Sequence, residues 1–199
     1  MLDTRLTGLR VAVDVQHLYK PTEDRGAVFR LGDGTTVTEA HCATIYAGSI
    51  AGWLARRGAD VLTNDPVRRI LVGRYSARIR EASAWGANAY LACHVNSGGG
   101  SYARVEYMAG TDVRLAQRVA GELLSAFPEL KRADSYPLSP GARGAVCIAA
   151  FPGSAVLLEP FFGDTPAHQD MMAAPRLVFL GETIARAVAD WWQFSRPVA

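Results

Sequence analysis

Cysteine is scarce in this chain: Cys42, Cys93 and Cys147 are the only three among 199 residues. Three cysteines cannot all pair within one chain, and none stands in a Cys-x-x-Cys. A disulfide framework and a zinc–cysteine cluster are therefore both disfavoured. Scattered free thiols fit synthesis in a reducing compartment. Charge of one sign is also lacking. A formal net charge of +2, with no basic run, leaves no field for nucleic acid. No hydrophobic stretch approaches the ~18 residues of a membrane span. Residues 2–10 hold Asp3, Arg5 and Arg10 and no apolar core, so no secretory signal is expected there. There is no internal repeat, low-complexity tract or interdomain linker. One domain is expected over residues 1–199, with no separate binding module.

Hydrophobic residues make up 49% of the chain and charged residues 20%, the balance of a globular protein with a full core. Short apolar runs alternate with long helical periods, the signature of an α/β fold. The expectation is a mixed, mostly parallel sheet of about six strands flanked by about five helices. Strands are predicted near 9–15, 59–63, 89–94, 103–108, 145–150 and 155–159. A helix is predicted over 38–57, with Ala43, Ala47, Ile50, Ala51 and Leu54 on one face and Gly58 as its stop. A second is predicted from Asp65-Pro66 to Trp85, and a third from Thr111 or Asp112 to Phe127. Asp164-Thr165-Pro166 is read as capping a final helical region, and Leu177, Leu180, Ile184, Val188 and Trp191 should pack it on the sheet. Residues 18–36 and 131–143 read as long polar connections, a type often functional.

Open α/β sheets place chemistry at the carboxyl ends of their strands. Two histidines stand there, His17 after the first strand and His94 after the third. His41 and His168 fall in first helical turns and read as surface residues. Glu39 has two readings. In Thr36-Val37-Thr38-Glu39 it completes a capping box, where a glutamate reaches back to a free N–H. It can equally join His17 and His94 as a metal ligand, since two imidazoles and a carboxylate plus water form a catalytic zinc set. Glu159 ends the last strand between Ala155–Leu158 and Pro160-Phe161-Phe162. A charge there needs a partner, Arg78 or Arg143, or a role as general base with a raised pKa. Cys93 adjoins His94, but neighbours on a strand face opposite ways, so a site-facing His94 turns Cys93 into the core. There is no GxSxG elbow and no P-loop lysine motif.

Four segments, taken in order, resemble the zinc-dependent N-acetylmuramoyl-L-alanine amidases, the catalytic domains of bacterial autolysins and phage endolysins. They are Asp14-Val15-Gln16-His17, then Glu39, then His94-Val95-Asn96, then Leu157-Leu158-Glu159-Pro160-Phe161-Phe162. Residues 58–63 and Arg78 also match, so the resemblance spans about 9–190. The chain departs from the family pattern at Gln16 and Leu18, where glycines are usual, and at Asn64-Asp65, where the family has arginine. The resemblance implies one zinc per chain on His17, Glu39 and His94, with Glu159 catalytic and Asn96 near the substrate. It implies hydrolysis of the amide between N-acetylmuramic acid and L-alanine in peptidoglycan. A phage-type role would need a holin-type pore to release a protein made in the cytoplasm. The rival readings are a zinc peptidase acting on stem peptides and a non-catalytic wall-binding domain on the same fold.

Overall fold

The computed structural model describes residues 6–18, 26–64, 71 and 73–195. Eight strands and four α-helices are present among them. β1 is Arg10–Val15, β2 Val28–Arg30, β3 Thr36–Thr38, β4 Asp60–Thr63, β5 Ala89–Cys93, β6 Ala103–Met108, β7 Ala133–Leu138 and β8 Ser154–Glu159. The helices are α1 (Glu39–Ala55), α2 (Tyr75–Ala84), α3 (Arg114–Ala126) and α4 (Ala174–Ser195), with 3-10 turns at Gln16–Leu18, Ala145–Cys147 and Pro166–Met172. Among the described residues, no helix is long and apolar enough to cross a membrane.

Six strands form one sheet in the order β4-β1-β5-β8-β6-β7, and β2 and β3 form a separate antiparallel pair. Every neighbouring pair in the large sheet is parallel except β8 with β6. The central strands β5 and β8 read as continuous apolar runs because both of their faces are covered. Leu91, Cys93, Val156 and Leu158 point into one core with residues of α1, α3 and α4. Tyr90, Ala92, Ala155 and Leu157 point into the other, with Ile79 and Ala82 of α2 and the 145–148 segment. This is the alternation that period-two side chains impose on a sheet between two layers.

From β1 the chain crosses through α1 to β4 on one side. It then returns through α2 to β5 on the other side of β1. The strand order therefore reverses between β1 and β5, and such a reversal opens a crevice at the carboxyl ends. His17 and His94 leave the sheet at that place.

Four expected segments are corrected. Residues 145–150 are not a strand. Gly144 turns left-handed at φ +88° and the chain enters the Ala145–Cys147 3-10 turn, because both edges of β8 are already taken by β5 and β6. Residues 131–143 are not all loop. They contain β7, an edge strand whose polar residues and Pro137 are tolerated because one side has no neighbour. The 18–36 connection contains β2 and leads into β3. The second helix begins at Tyr75, and Asp65-Pro66 lie outside the described residues. The apolar stripe of α4 is buried as expected, but its principal neighbours are α1 and α3 rather than the sheet.

Gly181 permits that helix packing. A methyl group there would press into the Tyr46 carbonyl oxygen and lie 2.6 Å from Ser49 Cβ. Gly181→Ala is expected to destabilise the protein by about 1–3 kcal/mol through overpacking, a fall of roughly 2–12 °C in Tm. Gly48→Ala, where an added methyl meets nothing within 4 Å, should stabilise it by about 0.5–1 kcal/mol. Thermal unfolding of the two variants tests the close α1–α4 contact, which a rise in Tm for Gly181→Ala would refute.

Candidate metal centre

Glu39 is the first residue of α1, and it is not a capping-box glutamate. Thr38 is the cap, and its Oγ1 accepts from the His41 N–H at 3.2 Å. That leaves the Glu39 carboxylate free to turn toward the sheet edge. Oε2 accepts from the Ala27 N–H at 2.9 Å, and Oε1 accepts from the Val95 N–H at 3.1 Å. Oε1 also lies 2.9 Å from His94 Nδ1 and 3.2 Å from His17 Nε2. The two ring nitrogens are 3.2 Å apart, with the rings edge to face.

These three atoms suit a cation better than a set of hydrogen bonds. If both imidazoles donate to Oε1, two N–H groups face each other at the ring–ring contact. If one imidazole accepts from the other, the single N–H between them must serve both the ring–ring contact and the carboxylate. A tetrahedral zinc with ligands at 2.0–2.1 Å sets those ligands about 3.3 Å apart, close to the three separations seen. The donor set therefore fits a metal ion, and His17, Glu39 and His94 form the group able to hold one. Burial opposes the charge on Glu39, but the bonds and charges of His17 and His94 outweigh it and hold the carboxyl well below its usual range.

A buried polar network fixes the chain just before His17. Asp14 is fully buried and meets Arg78 Nη1 at 2.7 Å. Arg78 also donates to the Val15 carbonyl at 3.1 Å and the Gln16 carbonyl at 3.0 Å. Tyr90 Oη and Gln16 Nε2 donate to the other Asp14 oxygen. Asn64, one of the departures from the family pattern, exchanges bonds with the Val15 N–H at 3.1 Å and carbonyl at 2.7 Å. Burial raises the pKa of Asp14, and Arg78 and Tyr90 oppose that shift. On the helical side, Tyr46 Oη donates to the His94 carbonyl at 2.8 Å.

Glu159 lies one strand from His94. The last register pair of β5 and β8 is Cys93↔Leu158, so His94 and Glu159 are the next neighbours on one face. Its Oε2 is buried without a hydrogen-bond partner. Burial raises its pKa well above the ordinary carboxylate value, the Glu39 and Glu106 carboxylates add to this, and Arg143 and Arg104 oppose it. Arg78 is not its partner, being committed to Asp14. Cys93 is buried in the core, and burial drives its thiol pKa up, which removes it as a nucleophile.

Asn96 lines the same groove, and its Oδ1 accepts from the Ser97 N–H at 2.8 Å. The loop after it is organised by Asp164, which accepts from the Gly98 N–H at 2.6 Å and the Gly99 N–H at 3.2 Å. Asp164 therefore secures the groove rim, where the sequence pointed to a helix cap. His41 is exposed as expected. His168 is not a surface residue. It is fully buried, and Nδ1 accepts from the Phe162 N–H at 3.1 Å, just past Glu159. Its pattern in sequence held no signal for this, since its partner is a backbone group. The groove encloses about 780 Å³, and His17, Glu39, His94, Asn96 and Glu159 all line it.

By sequence, the chain matches no family model and no curated protein. Solved structures do match. Ami1 from Mycobacterium smegmatis, an N-acetylmuramyl-L-alanine amidase, superposes with a TM-score of 0.77 at 14% identity, covering 96% of this chain and 100% of that one. The chain shares the amidase fold. Cwp6 from Clostridium difficile gives a TM-score of 0.76 at 17% identity. Here the match covers 92% of this chain but spans only 29% of the Cwp6 chain. The catalytic domain of the CD27L endolysin, which targets Clostridia difficile, gives 0.63 at 17% identity over 96% of this chain and 99% of that one.

Gly26 constrains the centre from the β2 side. Its φ is +69°, and a methyl group there would stand 2.5 Å from Glu39 Oε2. Gly26→Ala is therefore expected to displace the carboxylate and lower the affinity of this candidate centre for an added metal ion such as zinc by about 10–100-fold, the scale of losses when a ligand's supporting contacts are removed. Zinc titration against a chromophoric chelator measures this. Unchanged affinity would mean that the Glu39 position does not depend on this cradle.

Proposed function

We propose that this chain is a zinc-dependent N-acetylmuramoyl-L-alanine amidase that cleaves peptidoglycan, with the described fold as one catalytic domain. The observation that carries this reading is the convergence of His17 Nε2, Glu39 Oε1 and His94 Nδ1 beside Glu159, on a fold shared with such amidases. The likeness to an endolysin catalytic domain supports a lytic role of phage type. In that role a holin-type pore would give a protein made in the cytoplasm access to the wall.

His17, Glu39 and His94 would hold the zinc. When bound, zinc supplies electrophilic activation of the carbonyl and acidifies water. Glu159 moves the protons. Its unpartnered Oε2 and raised pKa suit it to accept a proton from the attacking water near neutral pH. It returns that proton to the departing amine of L-alanine, so the lactoyl carbon gains oxygen as it loses nitrogen. Asn96 has its Oδ1 taken up by Ser97, and its amide NH2 is the group it offers to substrate. The loop secured by Asp164 and the 142–147 segment wall the groove around the peptide.

The Glu159→Gln variant separates the two roles. It should keep about one zinc per chain and lose at least 10²–10⁴-fold in hydrolysis of purified peptidoglycan, the usual worth of a general acid–base. Mass analysis of the released peptides identifies the bond, since an amidase frees peptides beginning at L-alanine. Cleavage within the stem would make the enzyme a peptidase instead. Binding of wall fragments without any turnover by the zinc-loaded wild type would favour the non-catalytic reading.

A further inference from the structure

The groove does not stop at Glu159. It continues over β6 and β7, where Arg104, Glu106, Tyr136 and Arg143 line it. Arg104 is the register partner of Glu159 across the antiparallel β6–β8 pair. Directly opposite residues share a face, so His94, Glu159 and Arg104 form one row. The Arg104 guanidinium sits away from that row's centre, 4.3 Å from the Tyr136 ring centroid and 5.2 Å from that of Tyr102. These two rings hold it in place.

The bonding capacity of Arg104 is largely unused. Its Nη1 is 3.8 Å from Glu106 Oε1, beyond hydrogen-bond reach. Nε is buried without a partner, and Nη2 makes one long contact of 3.3 Å with the Tyr102 hydroxyl. Asp134, its register neighbour on β7, is already engaged by Arg132 at 2.9 Å. Arg143 is exposed, and its guanidinium has no hydrogen bond or ion pair among the described residues. Two guanidinium groups with free donors therefore border a groove that elsewhere presents carboxylates. Their fork geometry matches a carboxylate.

We propose that Arg143 and Arg104 form a subsite for a substrate carboxylate, two to three residues along the peptide from the scissile amide. The position follows from the sheet. Strands lie about 4.8 Å apart, and Arg104 leans from β6 onto the Tyr136 ring of β7, so its guanidinium stands about one to two strand spacings from Glu159 on β8. An extended peptide advances about 3.3–3.6 Å per residue. An acidic residue at the second or third position thus reaches the arginines while the amide lies at Glu159. This assignment rests on the amidase reading and narrows it to acidic peptides.

The probes are two dipeptide amides, Ala-Glu-NH2 and Ala-Gln-NH2, titrated by NMR into the zinc-loaded protein. The wild type should bind the acid about tenfold more tightly, the scale of a hydrogen-bonded charge. That preference should fall to about one in Arg143→Gln and be partly kept in Arg143→Lys. Equal affinities in the wild type, or a preference surviving Arg143→Gln, would overturn the subsite. Hydrolysis of N-acetylmuramoyl-Ala-Glu-NH2 and its Gln counterpart distinguishes this failure from that of the amidase reading. Turnover of both at equal kcat/KM sinks the subsite alone. An Arg143-dependent binding preference with no turnover of either upholds the subsite and sinks the amidase assignment.

Discussion

The Glu39 carboxylate is the junction on which the centre depends. Each oxygen accepts a backbone N–H, one from Ala27 beside the β2–β3 pair and one from Val95 just past β5. Oε1 then faces both imidazoles. One side chain at a helix start thus joins the hairpin, the end of β5 and the turn after β1. Anions are favoured at helix N-termini, so the helix itself helps keep this carboxylate charged. Removing the side chain would leave the buried Val95 N–H unsatisfied, at a cost of about 1–3 kcal/mol, free the partly buried Ala27 N–H and remove a candidate ligand.

A second buried charge pair does different work. Asp14 and Arg78 lie in an environment where two charges are expensive to hold, and apolar replacements are often no less stable. Their contacts explain what they accomplish. Arg78 spans from Asp14 to the carbonyls of Val15 and Gln16, and Asn64 ties Val15 from the other side. The backbone leading into His17 is therefore held at four points. A candidate ligand on a turn, with no strand partner of its own, needs that support. Glycines are usual in the family around this histidine, and here Gln16 takes part in the network instead.

Strand ends and buried runs were legible because hydrophobic period and polar punctuation both report on the sheet. β1, β4, β5, β6 and β8 carry strong apolar signals, and two of the three candidate ligands, His17 and His94, follow from where those strands stop. β7 was not legible, because an edge strand that is half polar and contains a proline has the composition of a loop. Residues 145–150 misled for the opposite reason. They are apolar enough for a strand, but the sheet had no free edge beside β8. His168 and Asp164 were misread because their partners are backbone N–H groups, six residues away for His168 and 66 for Asp164. No local pattern encodes such partners, and only the folded chain brings Phe162 to one and Gly98 to the other.

The one antiparallel pair of the large sheet decides how far the functional edge extends. In an all-parallel sheet every strand would present its carboxyl end there, and the row of site residues would come only from strand ends. β6 instead runs against β8, so its first residues arrive at the edge where β1, β5 and β8 finish. β7 runs with β6 and also starts there. The consequence is a row that begins with side chains at strand ends and continues with one at a strand beginning: His94, Glu159, then Arg104. The reversal also brings Glu106 next to this row, a carboxylate whose pKa burial raises and whose charge Arg104 and Arg143 favour. Acid and base groups thus alternate along one edge. That pattern sets the buried, unpartnered carboxylate of Glu159 apart from the guanidinium held by Tyr136, with no element beyond the sheet itself needed to keep them apart.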